Sequence, residues 1–343
     1  MNNLAPERSV QPDRSEPLDA LRGLAISLVI AHHYFGFRLG EFGVDLFFVL
    51  SGFLIGGILL DSREQPDFFS SFYGRRAFRI LPLYWLLLLI APPDRWAYYL
   101  FFIQQVPWVQ FGYPVHDPTF VTWSLAVEEQ FYLVLPILVF WLPRPWLVRV
   151  LWCGALLAPP SRWLFGAYLP HPSWVVLLPG RLDELFGGVL IACFMREYCR
   201  SRVAWATLAL VPPLCDIFHF ALFGSTAPLS VASLICCMAV MSAAATDAQV
   251  MFRPLIWMGR RCYALYLFHM LVYSAVSGQT WSAVVAFAIV GALAEISWRI
   301  VEAPLIGYAK RRFVMRSSDD HPSSRVGAPT HMPDGLVVET KHK

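Results

Sequence analysis

The sequence predicts an all-α membrane protein that crosses the bilayer about ten times and keeps both termini in the cytoplasm. Hydrophobic residues make up 57% of the 343 positions and charged residues only 15%, which leaves too little polar surface for a soluble domain of this size. Apolar runs such as 203–223 reach the roughly 20 residues that a helix needs to span the hydrocarbon. Basic residues collect in alternate connections between these runs, as the positive-inside rule requires.

The predicted spans follow one another along the chain with short connections. They cover residues 18–37, 43–61, 78–92, 125–142, 147–168, 175–195, 203–222, 228–246, 263–279 and 282–302. The apolar stretch 96–108 is short and has prolines within and before it, at Pro92, Pro93 and Pro107. Because proline removes a backbone donor and breaks helices, we expect an interfacial or re-entrant segment there.

The basic residues of the connections predict the orientation. One alternating set of connections carries Arg63, Arg75, Arg76 and Arg79, then Arg144 and Arg149, then Arg196, Arg200 and Arg202, then Arg253, Arg260 and Arg261, and finally Lys310, Arg311 and Arg312. The intervening connections hold almost none. The rule therefore predicts that this set and both termini lie in the cytoplasm, which requires an even number of spans.

The membrane domain is predicted to occupy residues 18–313. The segment 1–17 is polar and lacks the apolar core and cleavage site of a secretory signal, so we expect a cytoplasmic N-terminal segment. The segment 314–343 is rich in Ser, Pro, His and charge and is predicted to be a disordered cytoplasmic tail. The seven cysteines lack metal-binding spacing, so no metal site is expected. The net charge of +3 gives no reason to expect a nucleic-acid partner.

Two ionisable residues of the first span share one face. Arg22 and His33 are eleven residues apart, which in an α-helix is three turns plus about 20° and a rise of about 16 Å. His32 points about 100° away from this face, and Asp19 lies one turn before Arg22, where the two can pair. Charge at membrane depth is costly and needs a partner or a function. Imidazole suits proton transfer near neutral pH, and a structural role for either residue stays open.

A second cluster consists of three cations, Arg75, Arg76 and Arg79, at the predicted cytoplasmic mouth of the third span. Arg76 and Arg79 are one helical turn apart and share a face. Guanidinium groups bind phosphate through two parallel hydrogen bonds, so the pair predicts a phosphate site. Anchoring of the span by the positive-inside rule is the plainer alternative for any one of these residues.

A third cluster is acidic. Glu128 and Glu129 lie in WSLAVEEQFY, at the predicted outer start of the fourth span, between Trp123 and Tyr132. Adjacent carboxylates are unfavourable at membrane depth unless they line a polar cavity, and capping of the helix start is the alternative. Five single ionisable residues are weaker candidates, because most such groups are structural: Asp45, Arg181, Asp183, His269 and Glu302.

The three clusters lie in sequence motifs that, in their order along the chain, resemble those of the acyltransferase-3 family. Members of this family are membrane acyltransferases that O-acylate bacterial surface and secreted glycans and some macrolides. The resemblance covers roughly residues 18–310. LDALRGLAISLVIAHH is similar to the first-helix motif, in which ten residues separate a basic residue, here Arg22, from a histidine, here His33. FGVDLFFVLSGFLI, RAFRILPLYW, WSLAVEEQFYLVLP, GRLDELFGGVLIA, MGRRCYALYLFHMLV and VEAP are similar to later blocks. The departures are His32, where an apolar residue is usual, and Cys262, where Ser is usual.

The resemblance implies a multi-pass enzyme of the bacterial cytoplasmic membrane. Its donor would be acyl-CoA, most often acetyl-CoA, entering from the cytoplasm with its phosphates near Arg75, Arg76 and Arg79, and no cofactor would be permanently bound. His33 would act as general base for a hydroxyl of a carbohydrate or lipid-linked glycan that arrives from the outer half of the bilayer. Arg22 would hold the donor or stabilise the oxyanion.

The remaining motif residues take their expected roles from the same resemblance. Glu128 and Glu129 would belong to the catalytic centre, and the substrates would contact Asp45, Trp123, Tyr132, Arg181, Asp183, His269 and Glu302. Some family members carry an extracytoplasmic hydrolase-like domain, and we expect none within these 343 residues.

Two other functions fit parts of the pattern. A proton-coupled secondary transporter could use His33, Glu128 and Glu129, but the sequence lacks the matching broken helices of inverted repeats. The other large class of membrane O-acyltransferases also relies on a buried histidine, but it lacks the early Arg–His pair. No Gly-x-Ser-x-Gly string indicates a hydrolase-type nucleophile. Lipopolysaccharide, exopolysaccharide, lipochitooligosaccharide and macrolide acceptors all stay open, as does the oligomeric state.

Overall fold

The computed structural model describes residues 15–112, 114, 117–169, 176–198, 227–245, 250, 252–276 and 281–313, which form helices and no strands. The predicted span 203–222, most of the predicted N-terminal segment and the predicted tail 314–343 lie outside these residues. The all-α prediction is therefore confirmed for the described part of the chain.

The α-helices are α1 (Glu16–Phe35), α2 (Phe42–Ser62), α3 (Phe68–Ile90), α4 (Trp96–Leu100), α5 (Gln105–Phe111), α6 (Trp123–Trp141), α7 (Arg144–Tyr168), α8 (Leu182–Tyr198), α9 (Ala227–Ala244), α10 (Arg253–Arg260), α11 (Cys262–Val276), α12 (Ser282–Ser297) and α13 (Ala303–Arg312). Short 3-10 segments precede α2, α6 and α8 at Arg38–Glu41, Pro118–Thr122 and Leu178–Arg181, and a π-helical turn, Trp298–Glu302, joins α12 to α13.

Helix α1 has clear signals at both ends. The Ser15 side chain accepts a hydrogen bond from the Leu18 backbone N–H at 3.3 Å, and Pro17 occupies the first turn, where its missing N–H costs nothing. Gly36 ends the helix in the left-handed conformation, with φ of 67°, which glycine adopts without strain. These signals hold α1 over the length that carries both Arg22 and His33.

Helix α2 packs along α8 more closely than ordinary side chains allow. Gly52 faces the Leu185 carbonyl and Gly188 faces the Val49 carbonyl, so that a Cβ on either glycine would overlap backbone atoms of the other helix. Small residues at helix interfaces are characteristic of membrane proteins, where close backbone approach provides packing energy. This contact makes α2 the centre of the fold, with α1 and α9 also packed on it.

Three helical stretches of the described part are long and apolar enough to cross a membrane: Arg38–Ser62, Pro118–Trp141 and Ser282–Arg312. Large apolar side chains also point outward, as at Leu89, Trp141 and Ile300, where water would disfavour them and lipid would not. The chain is a membrane protein, and the number of ten spans and the side on which the termini lie stay predictions.

The structure differs from the predicted spans in the third helix. Helix α3 begins at Phe68, ten residues before the predicted start at 78, because Phe68 and Phe72 are buried and Ser71 bonds to Asp67 in the first turn. The arginine cluster therefore lies inside a helix and not in a connection.

The short, proline-containing stretch 96–108 forms the helix α4 and most of α5, on either side of a turn at Phe102, whose φ is 54°. The Gln130 side-chain amide donates to the Phe102 carbonyl at 2.7 Å. This hydrogen bond connects the turn to α6 and satisfies the Phe102 carbonyl, because a carbonyl at membrane depth has no water to pair with.

We expect Gly52→Ala to destabilise the protein by about 1–3 kcal/mol, because the added methyl group overlaps the α8 backbone. Gly291→Ala is the matched control: its Cβ would meet only the Trp257 ring at 3.8 Å, and alanine favours a helix over glycine by about 0.5–1 kcal/mol. Melting temperatures of the detergent-solubilised variants would test this. Equal stability of the two variants would contradict the close packing of α2 on α8.

Candidate functional site

A cavity of about 250 Å³ lies between α1, α2, α3, α6, α11 and α13. Its lining extends along α6 from Ser124 to Tyr132. These residues are eight positions apart on α6, which is a rise of about 12 Å. Apolar side chains of α2 and α3 form much of its wall, among them Leu54, Ile58 and Ile80. The cavity is thus elongated and partly apolar.

Five cations line this cavity: Arg22, Arg75, Arg76, Arg79 and Lys310. Glu128 is the acidic residue among its lining side chains. Arg76 and Arg79, the pair predicted to bind phosphate, thus line the same cavity as Arg22 of α1. Lys310 from α13 adds a cation that the sequence did not suggest for this site. Such an excess of positive charge favours an anionic ligand.

The cations differ in how they are held. Arg22 donates to Asp19 at 2.8 Å, the Arg75 Nε donates to the Phe313 carbonyl at 2.6 Å, and the Arg76 guanidinium lies 3.8 Å from the centre of the Tyr132 ring. Within the described part of the chain, no hydrogen bond or ion pair engages Arg79, whose side chain is exposed to the cavity. Arg79 is therefore the guanidinium most available to a ligand.

The two carboxylates lie at the level of the arginines and not at the opposite end of the membrane domain. Glu129 Oε1 is 4.0 Å from the Arg76 guanidinium, and Glu128 accepts a 2.5 Å hydrogen bond from the Ser51 hydroxyl. Both carboxylates lie in the second turn of α6, which begins at Trp123 and here packs beside α3. The assignment of this helix start to the outer side of the membrane stays a prediction. Only Glu128 of the two lines the cavity.

His33 lies next to His269. The His33 Nδ1 and His269 Nε2 atoms are 3.2 Å apart, and the Phe120 ring packs edge-on against His33. His32 instead contacts the Phe37 carbonyl at 3.2 Å, as its offset on the helix predicts. The structure therefore brings together two histidines that the sequence treated as separate candidates.

The histidine pair adjoins the cavity through Tyr266, which lines the cavity one turn before His269. The Tyr266 hydroxyl donates to the Val121 carbonyl at 2.7 Å and lies 2.5 Å from the Ser124 hydroxyl. Tyr266 and His269 are three residues apart, so they are neighbours on the helix surface, and Tyr263 precedes Tyr266 by the same spacing. That spacing was visible in the string YALYLFH and is the signal by which Tyr266 could have been found.

Three of the residues predicted to contact substrate, Asp45, Arg181 and Asp183, form a buried ion network outside the cavity lining, and their contact with substrate stays a prediction. Arg181 donates to Asp45 at 2.7 Å and to Glu184 at 2.9 Å, with all three residues at most 3% exposed. Asp183 accepts two hydrogen bonds from Arg162, at 3.0 and 2.9 Å. These partners satisfy charges at membrane depth, as a structural role requires.

The other predicted contacts are divided. Tyr132 lines the cavity beneath Arg76. Trp123 is buried against Phe48 with ring centres 6.1 Å apart, and Glu302 accepts a hydrogen bond from Ser297 at 3.2 Å within the π-helical turn. Trp123 and Glu302 do not line the cavity. Their expected contact with substrate stays a prediction.

These features define a class: a helical membrane protein with a cation-rich internal cavity and a histidine pair beyond one end of it. A family profile for the acyltransferase domain of acyltransferase family 3 matches residues 16–297. The chain belongs to the acyltransferase-3 family, as its motifs had indicated.

Two relatives illustrate the similarity. Peptidoglycan O-acetyltransferase OatA of Listeria monocytogenes is 28% identical over 350 residues, an alignment that covers 84% of this chain and 55% of that protein. O-acetyltransferase OatA of Staphylococcus aureus is 26% identical over 352 residues, which covers 87% of this chain and 58% of that protein. The chain thus spans little more than half the length of these curated relatives. No solved structure is significantly similar to it.

We expect Arg181→Gln to lower the free energy of unfolding by about 3–5 kcal/mol, because it leaves two buried carboxylates without their cation. Arg253→Gln is the matched control: it breaks a single 2.7 Å pair with Glu16, but the Arg253 side chain is 68% exposed, so we expect a loss of at most about 1 kcal/mol. Melting temperatures in detergent would rank the variants. A stable Arg181→Gln protein with weakened acceptor binding would instead support a substrate contact.

Proposed function

We propose that this protein is a membrane O-acyltransferase that moves an acyl group, in particular acetyl, from cytoplasmic acyl-CoA to a hydroxyl of a carbohydrate or lipid-linked glycan. The observation that carries the proposal is the elongated cavity with an excess of cations, in which the exposed Arg79 has no partner among the described residues. Relatives named as peptidoglycan O-acetyltransferases make a cell-wall glycan the first acceptor to test.

In this proposal the cavity has a phosphate end and an acyl end. The phosphates of acyl-CoA would lie beside Arg75, Arg76, Arg79 and Lys310, where guanidinium and ammonium groups converge. The thiol-bearing arm would then run past the apolar wall of α2 and α3 toward Ser124 and Tyr266, about 12 Å along α6. Arg22 would face the donor between the two ends.

His33 lies beyond the acyl end and would act as the general base. It would take the proton of the acceptor hydroxyl while the hydroxyl oxygen forms the new ester bond to the acyl carbon. The carbon–sulfur bond of the thioester then breaks, and the departing CoA thiolate takes up that proton.

The arrangement suggests access from two sides of a bacterial cytoplasmic membrane. Basic residues crowd the end of the bundle where α1 and α3 begin, so the positive-inside rule assigns this end to the cytoplasm, where acyl-CoA is made. His33 lies at the other end of α1, two residues before its last residue, Phe35. An acceptor arriving from the outer half of the bilayer would meet the acyl group there.

We expect Arg79→Gln to weaken acetyl-CoA binding by about 10- to 100-fold, because it removes a charge-assisted hydrogen bond worth about 1.5–3 kcal/mol. Arg299→Gln is the matched control, since Arg299 is 75% exposed on the surface and pairs with Glu295. Calorimetry of CoA binding in detergent would measure both. Unchanged affinity in Arg79→Gln would leave the arginines as topological anchors.

We expect His33→Ala to lower kcat for acetyl transfer by about 10²- to 10⁴-fold, the usual contribution of a general base, with CoA affinity unchanged. His32→Ala is the neighbouring control, because His32 bonds to the Phe37 carbonyl and points away from the pair. Transfer of labelled acetyl groups to glycan fragments would measure both rates. Full activity of His33→Ala with loss in His32→Ala would show that the base is assigned to the wrong histidine.

A further inference from the structure

We infer that His269 is a positioning residue that fixes the tautomer of His33, so that His33 offers Nε2, and not Nδ1, to the acceptor hydroxyl. The inference deepens the proposed function and rests on His33 as the base. The sequence indicated His269 only as a weak candidate for substrate contact, whereas in this inference it is the partner of the base.

The His269 ring has one possible tautomer in its neutral form. Its Nδ1 lies 2.6 Å from the Tyr266 carbonyl oxygen. A carbonyl oxygen only accepts, so the Nδ1 must carry the hydrogen. A neutral imidazole has a single N–H, which leaves a lone pair on the His269 Nε2. The side chain is 0% exposed, so water does not compete for this lone pair.

The tautomer of His33 follows from two acceptors at one nitrogen. Its Nδ1 lies 3.0 Å from the Val29 carbonyl oxygen and 3.2 Å from the His269 Nε2. Both atoms accept, so the Nδ1 of His33 carries a hydrogen that it shares between them. In the described part of the chain no hydrogen bond engages the His33 Nε2. That nitrogen therefore holds the free lone pair that a general base needs.

His269 can do this because its own position is fixed. The Tyr34 hydroxyl donates to the backbone carbonyl of His269 at 2.8 Å, and the Tyr34 ring stacks on Tyr273 with centres 4.6 Å apart. These contacts join the C-terminal end of α1 to α11 around the two imidazoles. When His33 takes a proton, its Nδ1–H would still donate to His269, and the charge would be stabilised by a stronger hydrogen bond.

Two substitutions separate this role from mere packing. In His269→Gln the longer side chain places its amide near the former Nε2, so its oxygen can still accept from His33. In His269→Asn the amide lies near the former Nδ1, so it can bond to the Tyr266 carbonyl but does not reach His33. We expect kcat for acetyl transfer to stay within about tenfold of wild type in the Gln variant and to fall about 100-fold or more in the Asn variant. We expect the same KM for acetyl-CoA in both.

A spectroscopic measurement needs no substitution at residue 269. In protein with ¹⁵N-labelled histidine, the nitrogen shifts report which ring nitrogen carries hydrogen, and His33→Ala identifies the His33 signals. We expect His33 protonated at Nδ1 in the wild-type protein and in His269→Gln, and a mixture of tautomers in His269→Asn. His33 protonated at Nε2 in the wild-type protein, or equal kcat in the two variants, would overturn the inference. Full transfer by His33→Ala would overturn the proposed base, whereas the tautomer would still be read from the wild-type spectrum.

Discussion

A guanidinium that leaves water needs a counter-charge within reach, and this constraint organises the described fold. Arg181 meets it with Asp45 of α2 and Glu184 of α8, and Arg162 of α7 meets it with Asp183. Apolar contacts between helices are non-directional and tolerate sliding, whereas these short hydrogen bonds do not. The network therefore sets the register of α2, α7 and α8 relative to one another.

The same constraint explains why Arg79 in the cavity differs from the paired arginines of the network. Arg79 is charged at all accessible pH values and makes no hydrogen bond or ion pair with the described residues, yet it lies within the helical bundle. The cavity lets water or an anion reach it there. The arginines of the network are paired within the protein, whereas Arg79 of the cavity is left for a ligand. The position of an arginine within the predicted spans was not enough to distinguish the arginines of the network from Arg79 of the cavity.

The histidine pair and the cavity occupy successive levels along α11. Cys262, Tyr263 and Tyr266 line the cavity, and His269 follows one turn later beside His33. Tyr266 thus separates a compartment suited to an anionic donor from an imidazole suited to proton transfer. This separation gives the proposed reaction a direction, since donor and acceptor need not enter through the same opening.

The sequence by itself determined the helices and the arrangement within each of them. Helical geometry is local, so the eleven-residue spacing was enough to place Arg22 and His33 on one face, and the offset of His32 followed from the same 100° step. The order of motifs along the chain was enough to identify the family. The extension of α3 back to Phe68 was missed, since it depends on burial of aromatic residues against other helices.

Only the tertiary structure decided which residues are partners. Asp45 and Arg181 are 136 residues apart, and His33 and His269 are 236 apart. No local rule relates residues at such separations, because helix register depends on close packing such as that of Gly52 against α8. The placement of Glu129 beside Arg76 and the entry of Lys310 into the cavity have the same cause. Local geometry aligns the side chains of one helix, and packing between helices decides which of them meet.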